Sequence, residues 1–199
     1  MPKIVDHAAR REELVRTTWR IIARHGLDRA TMRQIATEAG FANGALKPYF
    51  PTKTDLIEAT YTYVFERTNE RARRSTAGLS GLEAVEAFVR EVLPLDDTRL
   101  DEARVVIPFW QEAAHRPERA AANNAAMGQW RRWLISWLSE AREDSPLLGS
   151  LDLEIVSDAL LTWMLGAQIT AVMEPERYSP EELESQLQLQ LRLLTAATS

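Results

Sequence analysis

The chain contains no cysteine, which excludes disulfides, thiolate metal sites and thiol catalysis. No apolar run approaches the ~18 residues that span a bilayer. The opening MPKIVDHAARREE lacks the apolar stretch of a secretory signal, so no membrane partner is expected and the cytoplasm is the expected location. Alternating strand patterns are scarce, and most of the eight glycines and nine prolines fall between long helical patterns. Nothing matches HExxH, GxSxG or a phosphate-cradling glycine loop. The three histidines, His7, His25 and His115, stand far apart, and the carboxylates fall on helix exteriors and caps. No catalytic residue, metal site or cofactor is expected, and the chain reads as something other than an enzyme.

What is present is a globular composition, 45% hydrophobic and 27% charged over 199 residues, enough for an ordinary core. The net charge of −5 is unevenly spread. Residues 1–55 hold ten Lys/Arg and six Asp/Glu, whereas residues 56–199 hold fourteen and twenty-three. A basic head on an acidic body suits a nucleic-acid-binding unit joined to one that does something else.

Periodicity and capping predict an all-α chain of about nine helices. Residues 9–25 place Leu14, Thr17, Thr18, Ile21 and Ile22 inward and most arginines outward, and Gly26 closes the helix. Thr52 with Asp55 opens a long helix to about residue 76, and Ser80 with Glu83 reads as a capping box for the next, to about residue 92. Further helices are expected over about 98–114, 117–143 and 152–173, with a loop at 144–150. Ser179-Pro180-Glu181-Glu182 starts the last helix with a cap and a proline in its first turn.

Residues 31–56, TMRQIATEAGFANGALKPYFPTKTDL, are the most informative stretch. Thr31 is placed to cap a helix with Gln34 as its capping-box partner, and Met32, Ile35, Ala36 and Ala39 form one apolar stripe. Gly40 ends that helix, and a second, about 43–50, follows it. This is a helix-turn-helix pattern, whose second helix enters the DNA major groove. Thr31 offers a hydroxyl to phosphate or simply caps, and Arg33 is exposed, either on DNA or in solvent. Asn43, Gly44 and Ala45 let the backbone approach the groove floor, with Asn43 suited to adenine or to capping, and Lys47 is the best candidate to read guanine. Leu46 and Phe50 read as core. Pro48 inside this helix costs ~3 kcal/mol in a regular mid-helix position and predicts a local distortion.

These landmarks in order resemble the TetR family of bacterial transcriptional regulators: Gly26, the run Ala30–Ala36, Ala39-Gly40-Phe41, Gly44 with Leu46, Tyr49-Phe50 and Lys53. The resemblance implies that Tyr49 and Lys53 clamp phosphates. VLPLDD at 92–97 and MEPERYSPEELESQL at 173–187 are similar to the C-terminal domain of the betaine/choline-type (BetI-like) branch. The division expected is a DNA-binding domain over 1–55 and a ligand-binding and dimerisation domain over 56–199. The function implied is a repressor that binds a near-palindromic double-stranded DNA operator as a homodimer and is released by a small-molecule effector of unknown identity. A protein whose helix-turn-helix no longer binds DNA is the alternative that Pro48 supports.

The tryptophans of the body are core residues or walls of a ligand cavity. Trp110, Trp130, Trp133 and Trp163, with Gln111 and His115, are the candidate ligand-binding set, and Trp137, Asn123 and Gln168 accompany them. Aromatic walls near an acid such as Glu112 suit a cation, including quaternary ammonium; a neutral apolar metabolite fits equally. Ile155, Ala159, Gly166 and Thr170 mark a face of small residues on the 152–173 helix, and Leu183, Leu187, Leu191 and Leu194 a stripe on the last helix, with Leu189 and Leu193 beside it. Two apolar faces on a terminal helix suggest the body on one side and a partner on the other. The family builds a four-helix dimer interface from these two helices; closing the monomer core is the alternative.

Overall fold

The computed structural model describes residues 6–42, 44–143 and 145–195. Among them are nine α-helices, two 3-10 turns and no strand. α1 (His7–His25) starts at Asp6, whose carboxylate accepts the amides of Ala8 and Ala9 at 3.0 and 3.1 Å. The stripe Leu14, Thr17, Thr18, Ile21 and Ile22 is buried, as its spacing requires. After a 3-10 turn at Leu27–Arg29, α2 (Met32–Glu38) is capped by Thr31, which accepts the Gln34 amide at 3.2 Å. The other half of that capping box is not made: the Thr31 amide donates to the Arg29 carbonyl at 2.8 Å, and the Gln34 side chain turns to Glu38 at 3.3 Å. α2 ends in a Schellman motif: the Phe41 amide reaches the Ala36 carbonyl at 2.8 Å and Gly40 reaches Thr37 at 3.2 Å. Gly40 sits at φ +72°, where a side chain would be strained.

The second helix of the pattern is not a regular helix. Residues 44–49 are consecutive turns, with Ala45 N–H on the Ala42 carbonyl at 3.0 Å and Tyr49 N–H on that of Leu46 at 2.9 Å. Two residues explain the departure. Gly44 lies at φ +88°, outside the right-handed helical region, and Pro48 has no amide to return to Gly44. The distortion expected from Pro48 therefore extends over the whole segment. Leu46 and Phe50, both fully buried, anchor it to the head core.

α3 (Lys53–Ser75) opens with a complete capping box, Thr52 amide to Asp55 at 2.9 Å and Asp55 amide to Thr52 at 3.1 Å. It runs from the head into the body, which contains α4 (Gly81–Val92), α5 (Asp97–Ala113), α6 (Pro117–Glu140), α7 (Pro146–Ser150), α8 (Leu153–Met173) and α9 (Pro180–Thr195). Ser80 makes no side-chain cap; Glu140 of α6 takes the Gly81 amide at 3.0 Å instead. The expected loop at 144–150 contains α7, with Ser145 capping Leu148 and proline in the first turn. α8 is long and apolar enough, at mean hydropathy 1.4, to cross a membrane, contrary to the sequence expectation. Its inward face, Val156, Leu160, Met164 and Ala167, is instead packed into the body against α5 and α6.

The body core gathers Phe88, Leu134, Leu138 and Met164, together with Leu183, Leu187 and Leu191; Leu194 packs at its edge. These four α9 leucines, expected at a dimer face, close the protomer, because α9 lies against α4 and α7. The head core, with Leu14, Ile35 and Phe50, continues past residue 55 through Tyr61 and Val64 of α3 to Val105 and Phe109 of α5. Head and body thus share a packed seam along α3.

Candidate nucleic-acid interface and effector cavity

The head presents Thr31, Arg33, Gly44 and Lys47 to solvent, with Ala45 half-buried beside them; Asn43 lies outside the described residues. The Thr31 hydroxyl accepts an amide and keeps its own proton free to donate. Tyr49 is half-buried between the rings of His7 and Phe41, at centroid distances of 4.8 and 5.9 Å. Lys53 donates to the Leu27 carbonyl at 3.2 Å, which leaves two of its three ammonium donors for a phosphate. Arg11, absent from the sequence-based set, holds the turn segment in place: its guanidinium lies 4.1 Å from the Phe50 ring centroid and donates to the Tyr49 carbonyl. A basic residue one turn into a buried-face helix gave no distinctive sequence signal.

In the body, a cavity with about 30 Å³ of free space lies between α3, α5, α6 and α8. Tyr61, Phe65, Trp110 and Trp130 form its aromatic part, and Thr68, Arg99, Glu102 and Gln168 its polar part. That space has room for one or two waters, far less than the ~300–1,000 Å³ of a ligand-holding cleft, so a larger molecule fits only by displacing wall side chains. Phe65, Arg99, Trp110 and Met127 are the half-buried residues of this wall. Trp130 is fixed by a 2.7 Å bond from its indole to Asn69.

An ion network closes the polar end. Arg71 grips Glu102 with two bonds, 2.8 and 2.6 Å, and reaches Glu91 at 3.1 Å; Arg99 reaches Glu91 at 2.8 Å and also Asp96. Burial opposes the Arg71 charge, but Glu102 and Glu91 outweigh it and raise its pKa above the ordinary value. Tyr61 donates to Asn123 at 3.2 Å, and burial pushes its phenol up to about 12 against a lowering contribution from the Trp110 indole. Stability from the neutral phenol is complete below its unfolded value of about 10 and is lost as pH rises through about 12. Urea titrations across that window show stability falling with pH in the wild type and a shallower fall in Tyr61→Phe.

Of the candidate ligand residues, Trp110 and Trp130 line the cavity. Gln111 and His115 are exposed. Trp133 packs on Phe88 and Trp137, and Trp163 donates to Gln186 on α9. Glu112 pairs with Arg116 at 3.7 Å, and the carboxylate at the cavity is that of Glu102. Glu102 lies on the buried stripe of Val105, Val106 and Phe109, a placement that periodicity alone could have revealed. On α8, Ile155 and Ala159 are exposed and Gly166 and Thr170 half-buried. With Thr162, Ile169 and Met173, the residues 155, 159, 162, 166, 169 and 173 alternate in steps of four and three along one outward seam. Leu189 and Leu193, 49% and 54% exposed, form the outward face of α9.

Both the head and the body resemble known proteins. Residues 14–60 match the model for bacterial regulatory proteins of the tetR family, and residues 81–196 match that for the C-terminal region of BetI-type transcriptional repressors. The HTH-type transcriptional regulator PksA of Bacillus subtilis is 29% identical over 92% of this chain and 89% of its own length. BetI of Yersinia pestis is 30% identical over 59% of this chain and 61% of its own. Among solved structures, a transcriptional regulator from Rhodococcus has a TM-score of 0.81 at 26% identity, covering 92% of this chain and 95% of that one. A regulator from Saccharomonospora viridis in complex with choline has a TM-score of 0.82 at 20% identity, covering 91% and 94%, a likeness of fold. The C-terminal match alone spans more than half of the sequence, and the chain belongs to the TetR family of bacterial transcriptional regulators, with a DNA-binding helix-turn-helix head and a ligand-binding body.

Proposed function

We propose that the protein is a repressor that binds a near-palindromic operator as a homodimer and leaves it when a small molecule enters the body cavity. The observation that carries this reading is the course of α3. Lys53 at its start belongs to the DNA-facing head, while Tyr61, Val64, Phe65 and Thr68 further along it line the cavity. A ligand too large for the present space must shift that wall, and a shift of a continuous helix is carried to the head. Only a ligand that favours one head arrangement over the other changes DNA affinity. The outward seam of α8 and the exposed leucines of α9 supply the two-fold contact that paired half-sites need.

The DNA-contact set in this reading is Thr31, Arg33, Asn43, Gly44, Ala45, Lys47, Tyr49 and Lys53, with Lys47 the base reader and Tyr49 and Lys53 the phosphate clamps. Gel shift on the DNA upstream of the protein's own gene tests it. Lys53→Ala weakens binding to all sequences and lowers the salt slope by about one. Lys47→Ala costs about 1–3 kcal/mol on the preferred site and relaxes sequence preference there. Equal losses in both variants on specific and random DNA would remove Lys47 from the reading role.

A further inference from the structure

We infer that the effector is an uncharged, mainly apolar molecule bearing a hydrogen-bond-accepting oxygen, and that the Nε–H of Arg99 receives that oxygen; this rests on the cavity being the effector site. The polar wall is already electrically balanced. Glu102 accepts two bonds from Arg71 and one from Thr68 at 3.3 Å. One Glu91 oxygen accepts both Arg71 and Arg99. Two guanidiniums therefore face two carboxylates, Glu102 buried and Glu91 half-buried, and the further partner of Arg99, Asp96, is 49% exposed and solvated.

A cationic effector would give up its hydration to meet carboxylates whose charge is already matched. Three of the four wall aromatics already have one ring face covered, Tyr61 by Phe109 at 3.6 Å and Phe65 and Trp130 by each other at 5.2 Å, which leaves Trp110 as the unstacked ring. An anion would meet no net positive charge. What the wall lacks is an acceptor, since the Arg99 Nε–H is buried without a partner, a state that a single oxygen relieves. Gln168, also buried in this wall, can support the same group with its amide.

Three probes that share a benzyl group and differ in charge decide the matter: phenylacetone, phenylacetate and benzyltrimethylammonium. Binding to the full chain is read from tryptophan fluorescence, because Trp110 and Trp130 line the cavity. Phenylacetone is expected to bind about tenfold or more tightly than either charged probe. Arg99→Lys keeps a positive charge facing Glu91 but removes the Nε–H, and its phenylacetone affinity is expected to fall about tenfold. The comparison of probes on the wild type does not depend on how the variant folds. A charged probe that binds as tightly as phenylacetone, failure of all three to bind, or an Arg99→Lys variant with unchanged phenylacetone affinity would overturn the inference. A charged probe that binds and releases DNA overturns the uncharged class yet leaves the sensor reading standing, whereas wild-type protein that binds no DNA defeats that reading itself.

Discussion

Arg71→Met is expected to lower the free energy of unfolding by about 3–5 kcal/mol, a large part of the stability of an ordinary domain. The reason is asymmetry. The Arg71 side chain is 18% exposed and Glu102 only 7%, so removing the cation leaves the carboxylate buried with Thr68 as its remaining donor and takes one cation from Glu91. Replacing both partners removes the charge as well as its partner, so Arg71→Met with Glu102→Met should recover much of the loss, since apolar replacement of a buried pair is often near neutral. Urea unfolding of the two single variants and the double variant measures this. A double variant as unstable as the sum of the singles would mean that Arg71 and Glu102 do not act as a unit.

The second large effect concerns assembly. Met173 is 74% exposed and Leu193 54%, each apolar and each on the outward side of its helix. In the proposed two-fold interface, glutamate at both positions would add four carboxylates and is expected to separate the protomers. Operator affinity should then fall a hundredfold or more, because the second head no longer benefits from the effective concentration set by the first. Light scattering reports the protomer count and gel shift the affinity. Monomers that keep wild-type affinity would contradict the dimer reading. Leu183→Glu is the instructive comparison: that leucine is fully buried, so charge there should unfold the body rather than split a dimer.

The parts of the fold that were legible in the sequence are those governed by local chemistry. The Thr31 cap, the Thr52–Asp55 box, the buried stripe of α1 and the Ser179-Pro180 start of α9 depend on residues within a turn of one another. Pro48 announced a distortion, but the positive φ of Gly44 that accompanies it over 44–49 is one that glycine permits without dictating. Ser80 reads as half of a capping box, yet it makes no side-chain cap, and the neighbouring Gly81 amide goes to Glu140, fifty-nine residues further along the chain. The cavity shows the same limit. Trp110 and Trp130 were recognisable as aromatic walls, while Arg99, Glu102 and Thr68 meet there only because α3 and α5 cross. The two stripes of α9 were both visible, and the packing of α4 and α7 decides which faces inward.

The most direct measurement is binding of wild-type protein to the DNA upstream of its own gene, at low salt and against random competitor. The expected result is a complex of two protomers per site that survives competitor and weakens along a linear log–log dependence on salt. Absence of any complex at low salt, where phosphate contacts are strongest, would contradict it.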